Sequence, residues 1–465
     1  MAKSWANSAA VTGSDLHLDL SGPGSKRAVL TAALREAIRA GRLQPGTRLP
    51  PYRSLAADLG LARNTVAAAY AELIAEGWLT ARQGSGTRVA HRVEPRRASR
   101  PARRPQRPEP VHHLRQGQPD SSSFPRTAWS ASARRALNAA PSEAFGPGDP
   151  HGRPELRRAL ADYLARARGV RAEPERIVIC CGFAHALELL FGGVLRGPLA
   201  VESYGLPFHR ELLAEAGVRT IPLGLDEHGA RTDELDSRMR AALLTPAHQF
   251  PTGGPLHPER RAAAVDWARS SGGLVLEDDY DGEFRYDREP VGAVQGLDPE
   301  RVIYLGSVSK SLSPAVRLGW MVLPEHLVDE VLAVKGLRER WASVLDQLAL
   351  ADFVESGHYD RHVRRMRQRY RHRRDQLVAA LAEHAPHITA TGIAAGLHAV
   401  LRLRPGTEQA IVAAAAERGV AVEGLDDFRH PDASKSAADG VVVGYATPPE
   451  HGYAAALDAL ITALR

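Results

Sequence analysis

The sequence predicts two folded modules, a small helical one followed by a large α/β one, and two observations lead to this prediction. Residues 91–110, HRVEPRRASRPARRPQRPEP, are rich in proline and arginine and poor in apolar residues, which is typical of a linker. Beyond them, apolar strand-like runs alternate with helical stretches, which favours a largely parallel sheet. The six strand-like runs are RIVICC, PLAVE, AALLTP, GLVLEDD, RVIYLGS and LGWMVLP. We therefore expect a small module at residues 15–90, a linker at 91–111 and a large module at 112–465.

The small module has the pattern of a helix pair followed by a hairpin. Apolar residues at helical spacing lead to a turn at Gly60, and a second helix is predicted from about Arg63 to Glu76. That helix begins with the polar residues Arg63, Asn64 and Thr65. A helix, a short glycine turn and a helix with a polar start form the layout that reads a DNA major groove. The stretch GWLTARQGSGTRVA then predicts a hairpin wing, in which Arg82 and Arg88 suit phosphate or minor-groove contact.

Charge separates the two modules. Residues 1–110 carry 18 Lys+Arg and 8 Asp+Glu, a net charge of +10, whereas the remainder carries 42 and 46, a net charge of −4. This asymmetry favours a polyanion as the partner of the first module. On charge alone, a basic face that is merely solvated is an equally good interpretation.

The stretch AIRAGRLQPGTRLPPYRSLAADLGLARNTVAAAYAELIAEGWLTARQGSGTRVA resembles the winged helix-turn-helix domain of GntR-type bacterial regulators, and the match covers nearly the whole module. The resemblance implies DNA contacts from Arg48, Arg53, Arg63, Asn64, Thr65 and Gly86. The family often has serine where Ala62 stands, so one helix-capping or phosphate hydrogen bond is absent here.

Lys310 is the residue of chemical interest in the large module. It lies in SVSKSLSP, directly after the strand-like run RVIYLG, in a chain that takes most of its basic charge from arginine. The other lysines lie in polar, helical or loop segments: Lys3, Lys26, Lys335 and Lys435. An amine can lose its proton and become a nucleophile, whereas a guanidinium effectively cannot. Lys310 is therefore a candidate for a Schiff base with pyridoxal 5'-phosphate.

That cofactor needs a carboxylate for its ring nitrogen, a donor for its phenolic oxygen and donors for its phosphate. Asp278 ends the apolar strand LVLED, and Tyr280 follows two residues later. Gly182 leads another strand into a helix, whose free N–H groups and dipole form an anion site. Alone, an acid at a strand end is more often a cap, and a lone glycine is usually a turn, so the prediction depends on the conjunction. The predicted phosphate contacts are Phe183, Ala184, Ser307, Ser309 and Arg317.

Segments throughout the large module, among them CCGFAHAL, LLTPAHQFPTGGPLHPERR, LEDDYDGEFRY and YLGSVSKSLSPAVRLGWMVLP, resemble the fold type I aminotransferase-like domain. With the GntR-type module attached, the chain resembles MocR-type regulators from about residue 15 onward. The resemblance implies that Lys310 is the Schiff-base lysine, Asp278 the partner of the ring nitrogen and Tyr280 the phenolate donor. It assigns the same five residues to the phosphate and places the loop at 245–253 in the pocket.

Two departures from the family pattern concern the ligand. Leu206 stands where an aromatic side chain usually stacks on the cofactor ring, and either Tyr204 or aliphatic carbon could serve instead. Val442 and Val443 stand where related proteins can carry an arginine for an amino-acid carboxylate. An ordinary amino-acid effector held by that arginine is therefore not expected.

These observations predict a pyridoxal phosphate-dependent DNA-binding transcriptional regulator, not an enzyme, whose large domain senses pyridoxal phosphate or an amine or amino-acid-like effector. We expect a domain-swapped homodimer on double-stranded promoter DNA with paired half-sites, since a linker of about 20 residues reaches roughly 60 Å at about 3.1 Å per residue. Two alternatives stay open: an active aminotransferase that carries a DNA-binding module, and a DNA-binding protein whose second domain holds no cofactor.

Composition excludes several other classes. Cys180 and Cys181 are adjacent and make neither a disulfide framework nor a metal-ligand spacing. The sequence has no apolar run long enough to span a membrane and no signal-peptide pattern. We therefore expect a cytoplasmic protein without a metal site or a membrane partner.

Overall fold

The computed structural model describes residues 18, 20–21, 23–82, 86–91, 110–146, 148–286, 292–337, 341–392, 394–434 and 439–465. The chain divides into two compact units, Met1–Gln106 and Arg107–Arg465. Residues 92–109, which make up most of the predicted linker, lie outside the described residues, as do residues 83–85 at the tip of the predicted wing.

The described residues of the first unit form one helix followed by the predicted helix pair and the predicted hairpin. The elements are α1 (Lys26–Arg39), α2 (Tyr52–Leu59), α3 (Arg63–Ala75), β1 (Leu79–Arg82) and β2 (Gly86–Val89). The side chain of Ser25 accepts a hydrogen bond from the first turn of α1. Gly60 ends α2 with a left-handed φ of 65°, which glycine adopts without a Cβ clash. The turn and the second helix are therefore confirmed, the latter to within one residue.

Apolar residues at helical spacing form the core of this unit. Leu34, Leu55, Val66 and Leu73 are fully buried, and β1 pairs antiparallel with β2 from Leu79 opposite Val89 onward. The hairpin strands are short, so they depend on packing against the helices for stability.

The second unit contains many more elements. Its strands are β3 (His112–His113), β4 (Ile177–Cys180), β5 (Leu199–Glu202), β6 (Thr220–Leu223), β7 (Leu225–Asp226), β8 (Gly229–Ala230), β9 (Ala241–Leu244), β10 (Leu274–Asp278), β11 (Val302–Ser307), β12 (Gly319–Val322), β13 (Thr389–Thr391), β14 (Ala399–Leu403), β15 (Val420–Ala421), β16 (Glu423–Gly424) and β17 (Asp439–Val443). Its α-helices are α4 (Arg126–Ala139), α5 (Pro154–Arg168), α6 (Phe183–Leu189), α7 (Pro207–Glu215), α8 (Pro258–Ser271), α9 (Glu325–Leu337), α10 (Val344–Glu355), α11 (His358–His384), α12 (Glu408–Glu417) and α13 (Tyr453–Leu464).

A seven-stranded sheet lies at the centre of the second unit, in the order β4-β12-β11-β10-β9-β5-β6. Strands β11, β10, β9, β5 and β6 pair in parallel, and β12 runs antiparallel to both of its neighbours. The antiparallel strand follows β11 through a short connection, whereas a parallel return needs a longer crossover. The predicted, largely parallel α/β sheet is thus confirmed, with one reversed strand.

The C-terminal part of this unit forms a second sheet in the order β13-β14-β17-β16. A separate hydrophobic cluster includes Leu401, Val441 and Leu460 and lies between this sheet and its helices. Within the described residues, no helix combines the length and the apolar character that a membrane crossing requires.

Candidate functional site

A cavity of about 270 Å³ lies at the carboxyl ends of the central parallel strands. Asp278 is the last residue of β10, Ser307 the last of β11 and Glu202 the last of β5, and all three line the cavity. Parallel strands bring their carboxyl ends to the same edge of a sheet, which is where α/β proteins bind ligands. The cavity therefore collects polar side chains that are far apart in the sequence.

Lys310 lines this cavity three residues beyond β11, and its Nζ donates to the carbonyl oxygen of Gly117. Burial lowers the pKa of the Lys310 ammonium, an effect that Asp278 and Asp281 oppose. A lower pKa increases the fraction of neutral amine, the form that attacks a carbonyl carbon. The position and the environment of Lys310 therefore suit nucleophilic chemistry.

Asp278 faces the same cavity and lacks a hydrogen-bond donor among the described side chains. Burial raises the pKa of its carboxyl well above the usual range, the neighbouring Asp279 adds to the rise, and Lys310 opposes it. A buried carboxylate is stabilised by a cationic N–H partner. A protonated pyridine nitrogen would supply that partner, so Asp278 fits the predicted role.

Asp279, the next residue, is held on the other side of β10 by a buried ion pair. Its carboxylate accepts from Arg168 Nε at 2.6 Å and Nη2 at 3.0 Å, and from the Tyr304 hydroxyl at 2.6 Å. Arg168 and Asp279 are both about 5 % exposed. Because successive residues of a strand point to opposite faces, this pair also fixes the direction in which Asp278 points. Sequence reasoning missed it, since Arg168 lies more than 100 residues earlier.

Tyr280 lines the cavity and belongs to a hydrogen-bonded group of three. His248 Nδ1 lies 2.9 Å from the Tyr280 hydroxyl and 2.9 Å from Asp281 Oδ2. His248 and Asp281 are buried. The group orients the Tyr280 hydroxyl at the cavity wall, as a phenolate donor requires. His248 and Asp281 fall inside the quoted motifs, but nothing in their spacing indicated this contact.

The predicted phosphate contacts divide into two sets. Phe183, Ser307 and Ser309 line the cavity, and Phe183 begins α6 after Gly182, whose φ is 107°. Ala184 is the second residue of α6 and Arg317 is exposed with a left-handed φ of 55°; neither side chain is part of the cavity wall. Six of the eight predicted cofactor residues thus meet in one cavity: Lys310, Asp278, Tyr280, Phe183, Ser307 and Ser309.

Leu206, which stands where the family usually has a stacking aromatic residue, lines the cavity together with Tyr204 and His209. Tyr204 and Leu206 pack on the hydrophobic cluster that contains Phe428. The His209 ring lies 4.6 Å from that of Phe183, and burial and then Lys310 lower the pKa of His209 to about 4. A neutral imidazole with a flat face therefore lies beside Lys310, and the sequence pattern did not reveal it.

The cavity also contains an arginine that the sequence analysis did not identify. Val442 and Val443 are buried within β17, but Arg210 of α7 lines the cavity. Its Nη1 donates to the carbonyl oxygens of Gly205 and Phe428, and its Nη2 donates to that of Arg429. Its Nε and one Nη2 hydrogen have no acceptor among the described residues. A cationic group is therefore available in the cavity after all.

The predicted DNA contacts lie in the first unit. Arg63 and Asn64 are exposed in the first turn of α3, with Thr65 half-buried beside them, and Arg53 is exposed on α2. The preceding residue, Ala62, makes no side-chain cap, as expected from its departure from the family pattern. Exposed donors at the start of the second helix are available to base edges and phosphates.

Arg48 and Gly86 lie together near the hairpin. The backbone of Arg48 forms an isolated antiparallel β-bridge with that of Arg88 in β2. Gly86 has a φ of +80°, and a Cβ there would lie 3.2 Å from Arg48 Nε. Arg88 Nη1 donates to the carbonyl oxygen of Gly46 at 2.9 Å. The glycine therefore allows the Arg48 guanidinium to approach the start of β2.

Each of the two units matches a known protein family. Residues 26–89 match the family described as bacterial regulatory proteins, gntR family, and residues 110–435 match aminotransferase class I and II. The HTH-type pyridoxine biosynthesis transcriptional regulator PdxR of Corynebacterium glutamicum is 34% identical over 92% of this chain and 93% of its own length. The probable rhizopine catabolism regulatory protein MocR of Rhizobium meliloti is 33% identical over 89% and 88%.

The chain belongs to the MocR-type transcriptional regulators. In this family, a GntR-type helix-turn-helix module is joined to an aminotransferase-like domain. The predicted family and fold class are therefore confirmed.

Solved structures similar to this MocR-type chain include aminotransferases. The kynurenine aminotransferase of Pyrococcus horikoshii, in complex with PMP, aligns with a TM-score of 0.69 at 24% identity over 77% of this chain and 91% of its own. LysN, the α-aminoadipate aminotransferase of Thermus thermophilus, complexed with N-(5'-phosphopyridoxyl)-L-leucine, aligns with a TM-score of 0.67 at 25% identity over 76% and 91%. The central sheet and its cavity thus belong to an aminotransferase-like fold.

Proposed function

We propose that this MocR-type chain is a pyridoxal phosphate-dependent transcriptional regulator of the cytoplasm, in which the large unit senses the ligand and the small unit binds promoter DNA. The observation that supports this most directly is the meeting of Lys310, Asp278 and the start of α6 in one cavity, in a chain that also carries a GntR-type module. Pyridoxal phosphate supplies an aldehyde that condenses with an amine and a ring that withdraws electrons.

The cavity residues have distinct roles in this proposal. Lys310 offers its neutral amine to the aldehyde carbon, because burial disfavours the ammonium. Asp278 accepts the ring N–H, and Tyr280 donates to the phenolic oxygen from its contact with His248. The free N–H groups of Phe183 and Ala184, with the hydroxyls of Ser307 and Ser309, take the phosphate. Arg317 is exposed and does not line the cavity, so it is the least supported of the predicted phosphate contacts.

Pyridoxal phosphate itself is our first choice of effector. The name of the Corynebacterium glutamicum relative concerns pyridoxine biosynthesis, and we propose that this chain controls genes of the same kind. The buried Val442 and Val443 support this choice, because they leave β17 without a carboxylate-binding arginine. Arg210 favours a second candidate, an amine or amino-acid derivative that carries an anionic group.

We further propose that the protein acts as a homodimer with exchanged DNA modules on paired half-sites. Regulation requires that the ligand stabilise one arrangement of the DNA modules over another, because a ligand can shift a conformational equilibrium only through differential affinity. Two-fold symmetry in the protein favours two-fold symmetry in the DNA site.

The test uses the full chain and DNA fragments that the protein itself selects from genomic DNA. Fluorescence anisotropy measures the Kd for DNA with and without pyridoxal phosphate. Allosteric coupling of the usual strength, about 1–3 kcal/mol, predicts a 5- to 150-fold change for the wild type and none for Lys310→Ala. Lys310→Arg is the control, since it keeps a cation but cannot form the covalent bond. An unchanged wild-type Kd would refute ligand sensing.

An active aminotransferase is the competing function, and the aminotransferase-like cavity favours it. Rapid conversion of several amino acids to keto acids by the purified protein, with Lys310→Ala inactive, would support that alternative. We expect no more than a slow single turnover.

A further inference from the structure

Helix α11 contains a run of arginine that the proposed function does not explain. Residues 361–374 include eight arginines and two histidines and no acidic residue. The run is unexpected, because residues 111–465 carry 42 Lys+Arg against 46 Asp+Glu. A basic surface on an otherwise slightly acidic unit calls for a physical explanation.

Three of these arginines hold the helix in the fold. Arg373 is 2 % exposed and donates to three backbone carbonyls of residues 445–448, and it also contacts Glu450. Arg369 pairs with Asp120 and Glu450, and Arg367 donates to the carbonyl of Glu283. These side chains face inward and have structural partners.

Arg374 is half-buried and lies 3.7 Å from Asp375. The remaining four form what we call the outer arginine face: Arg361, Arg364, Arg365 and Arg371. All four are exposed. Their spacing of three, four and seven residues places them on one side of the helix, over roughly 15 Å at about 1.5 Å per residue. Among the described residues, the nearest carboxylate to any of them is Asp375, 3.9 Å from Arg371 Nε. Arg364 makes no hydrogen bond or ion pair with a described residue, so its charge is available to a partner.

The chemistry of this face limits the kind of partner. The apolar residues within the run, Val363 and Met366, are buried, so the outer face offers no apolar side chain for a lipid bilayer. It also lacks the aromatic or aliphatic anchors that carry the affinity of most protein interfaces. Arginine guanidinium groups bind phosphate oxygens well. A polyphosphate is the partner that this composition fits.

The first turns of α11 are bonded to the loop that carries Lys310. The Tyr359 hydroxyl donates to Ser311 Oγ at 2.8 Å, and His362 Nε2 lies 2.9 Å from the Ser311 carbonyl oxygen. Arg365 Nη2 lies 3.1 Å from the other ring nitrogen of His362. A physical connection therefore runs from the residue after Lys310 to the outer arginine face.

We propose that the outer arginine face of α11 binds phosphates of the duplex that the small unit recognises. This rests on DNA binding by the GntR-type module, which holds the duplex and so raises its effective concentration at the large unit. The contact is independent of base sequence, because it involves the DNA backbone alone. The hydrogen bonds to Ser311 make it responsive to events at Lys310.

The test compares Arg361→Gln/Arg364→Gln/Arg371→Gln with wild type in the full chain. The matched control is Arg196→Gln/Arg219→Gln/Arg418→Gln, which removes the same charge from exposed positions on other elements. Anisotropy titrations over a range of salt concentrations use duplexes that carry the selected site with long or minimal flanks. Circular dichroism checks that both variants fold.

With long flanks, we expect the α11 variant to lower the slope of log K against log salt by up to 2.7, about 0.9 for each lost phosphate contact. The control variant should keep the wild-type slope, and minimal flanks should abolish the difference. Equal slopes for wild type and the α11 variant on long duplexes would overturn the proposal.

Other partners of the outer arginine face would give different experimental results. Dissociation of the α11 variant into monomers in sedimentation, with an unchanged salt slope, would make the face a subunit interface and overturn the proposal. Loss of binding to phosphatidylserine vesicles with unchanged DNA binding would overturn it in favour of a membrane. A lowered slope without any effect of pyridoxal phosphate on the Kd would support the face while refuting the proposed ligand sensing.

Discussion

Replacement of Glu202 by glutamine tests whether the cavity wall excludes water. Glu202 ends β5 and is 7 % exposed, and among the described residues it accepts only from neutral donors, Thr245 and Gln249. Burial raises the pKa of its carboxyl from 4.5 to about 7, although these hydrogen bonds oppose the rise. The unfolded chain therefore ionises at a lower pH than the folded protein does. Glu202 consequently costs stability as the pH rises from about 4.5 to 7, and the cost is constant above that range.

The magnitude follows from the two pKa values. The pKa of Glu202 is 4.5 in the unfolded state and about 7 in the folded state. With these values, ionisation of Glu202 lowers the free energy of unfolding by about 0.8 kcal/mol at pH 5 and by about 3.3 kcal/mol at pH 8. Glu202→Gln removes the titrating group, so the free energy of unfolding of the variant minus that of wild type should increase by about 2.5 kcal/mol from pH 5 to pH 8. The change with pH is the informative quantity, because glutamine also alters the hydrogen bonds at each pH.

Urea unfolding of the full chain without ligand, at pH 5 and pH 8, measures this quantity. The two compact units can unfold separately, and the transition with the larger m-value belongs to the larger unit because m scales with the surface exposed. Glu211→Gln on α7 is the control, since Glu211 is exposed. If wild type and Glu202→Gln respond identically to pH, then the Glu202 carboxyl is hydrated and the cavity is wetter than its lining indicates.

Three further predictions concern the two sites. Arg63→Ala should cost about 1–3 kcal/mol of specific DNA affinity, as a lost bidentate base contact does, and unchanged affinity for the selected site would exclude Arg63 as a reader. His209→Ala should weaken pyridoxal phosphate binding in a spectroscopic titration about tenfold, the equivalent of about 1.4 kcal/mol, while His209→Phe should retain it; equal losses in both variants would mean that a flat ring is not what the site needs. Whole-turn changes in half-site spacing should be tolerated better than half-turn changes, because a half-turn rotates one site to the opposite side of the duplex; equal affinities in a spacing series would refute this phasing.

Short-range sequence patterns were sufficient to predict most strands of the central sheet and the helix pair of the first unit. The six strands read from the apolar runs are β4, β5, β9, β10, β11 and β12, each within about two residues of the run that predicted it. The helix pair around Gly60 depends on one left-handed glycine and on local periodicity. Strand β12 was also found in this way, but its reversed direction depends on which strands it pairs with.

Two candidate site residues could also be identified from their local sequence context. Lys310 was conspicuous because the chain rarely uses lysine, and Asp278 because it ends an apolar strand. Their meeting in one cavity follows from the shared edge of a parallel sheet, a rule that a linear sequence allows one to apply.

What the sequence by itself determined about this protein is therefore its family, its order of elements and the choice of Lys310 as the candidate lysine, because these depend on local periodicity and short motifs. Tertiary structure alone decided which side chains complete the cavity and which support it. His209, Arg210 and Glu202 come to Lys310 from about 100 residues away, and no local pattern distinguishes them from ordinary helix or strand residues. The contact of His362 with Ser311 was equally invisible, because packing of a helix against a distant loop depends on the whole fold.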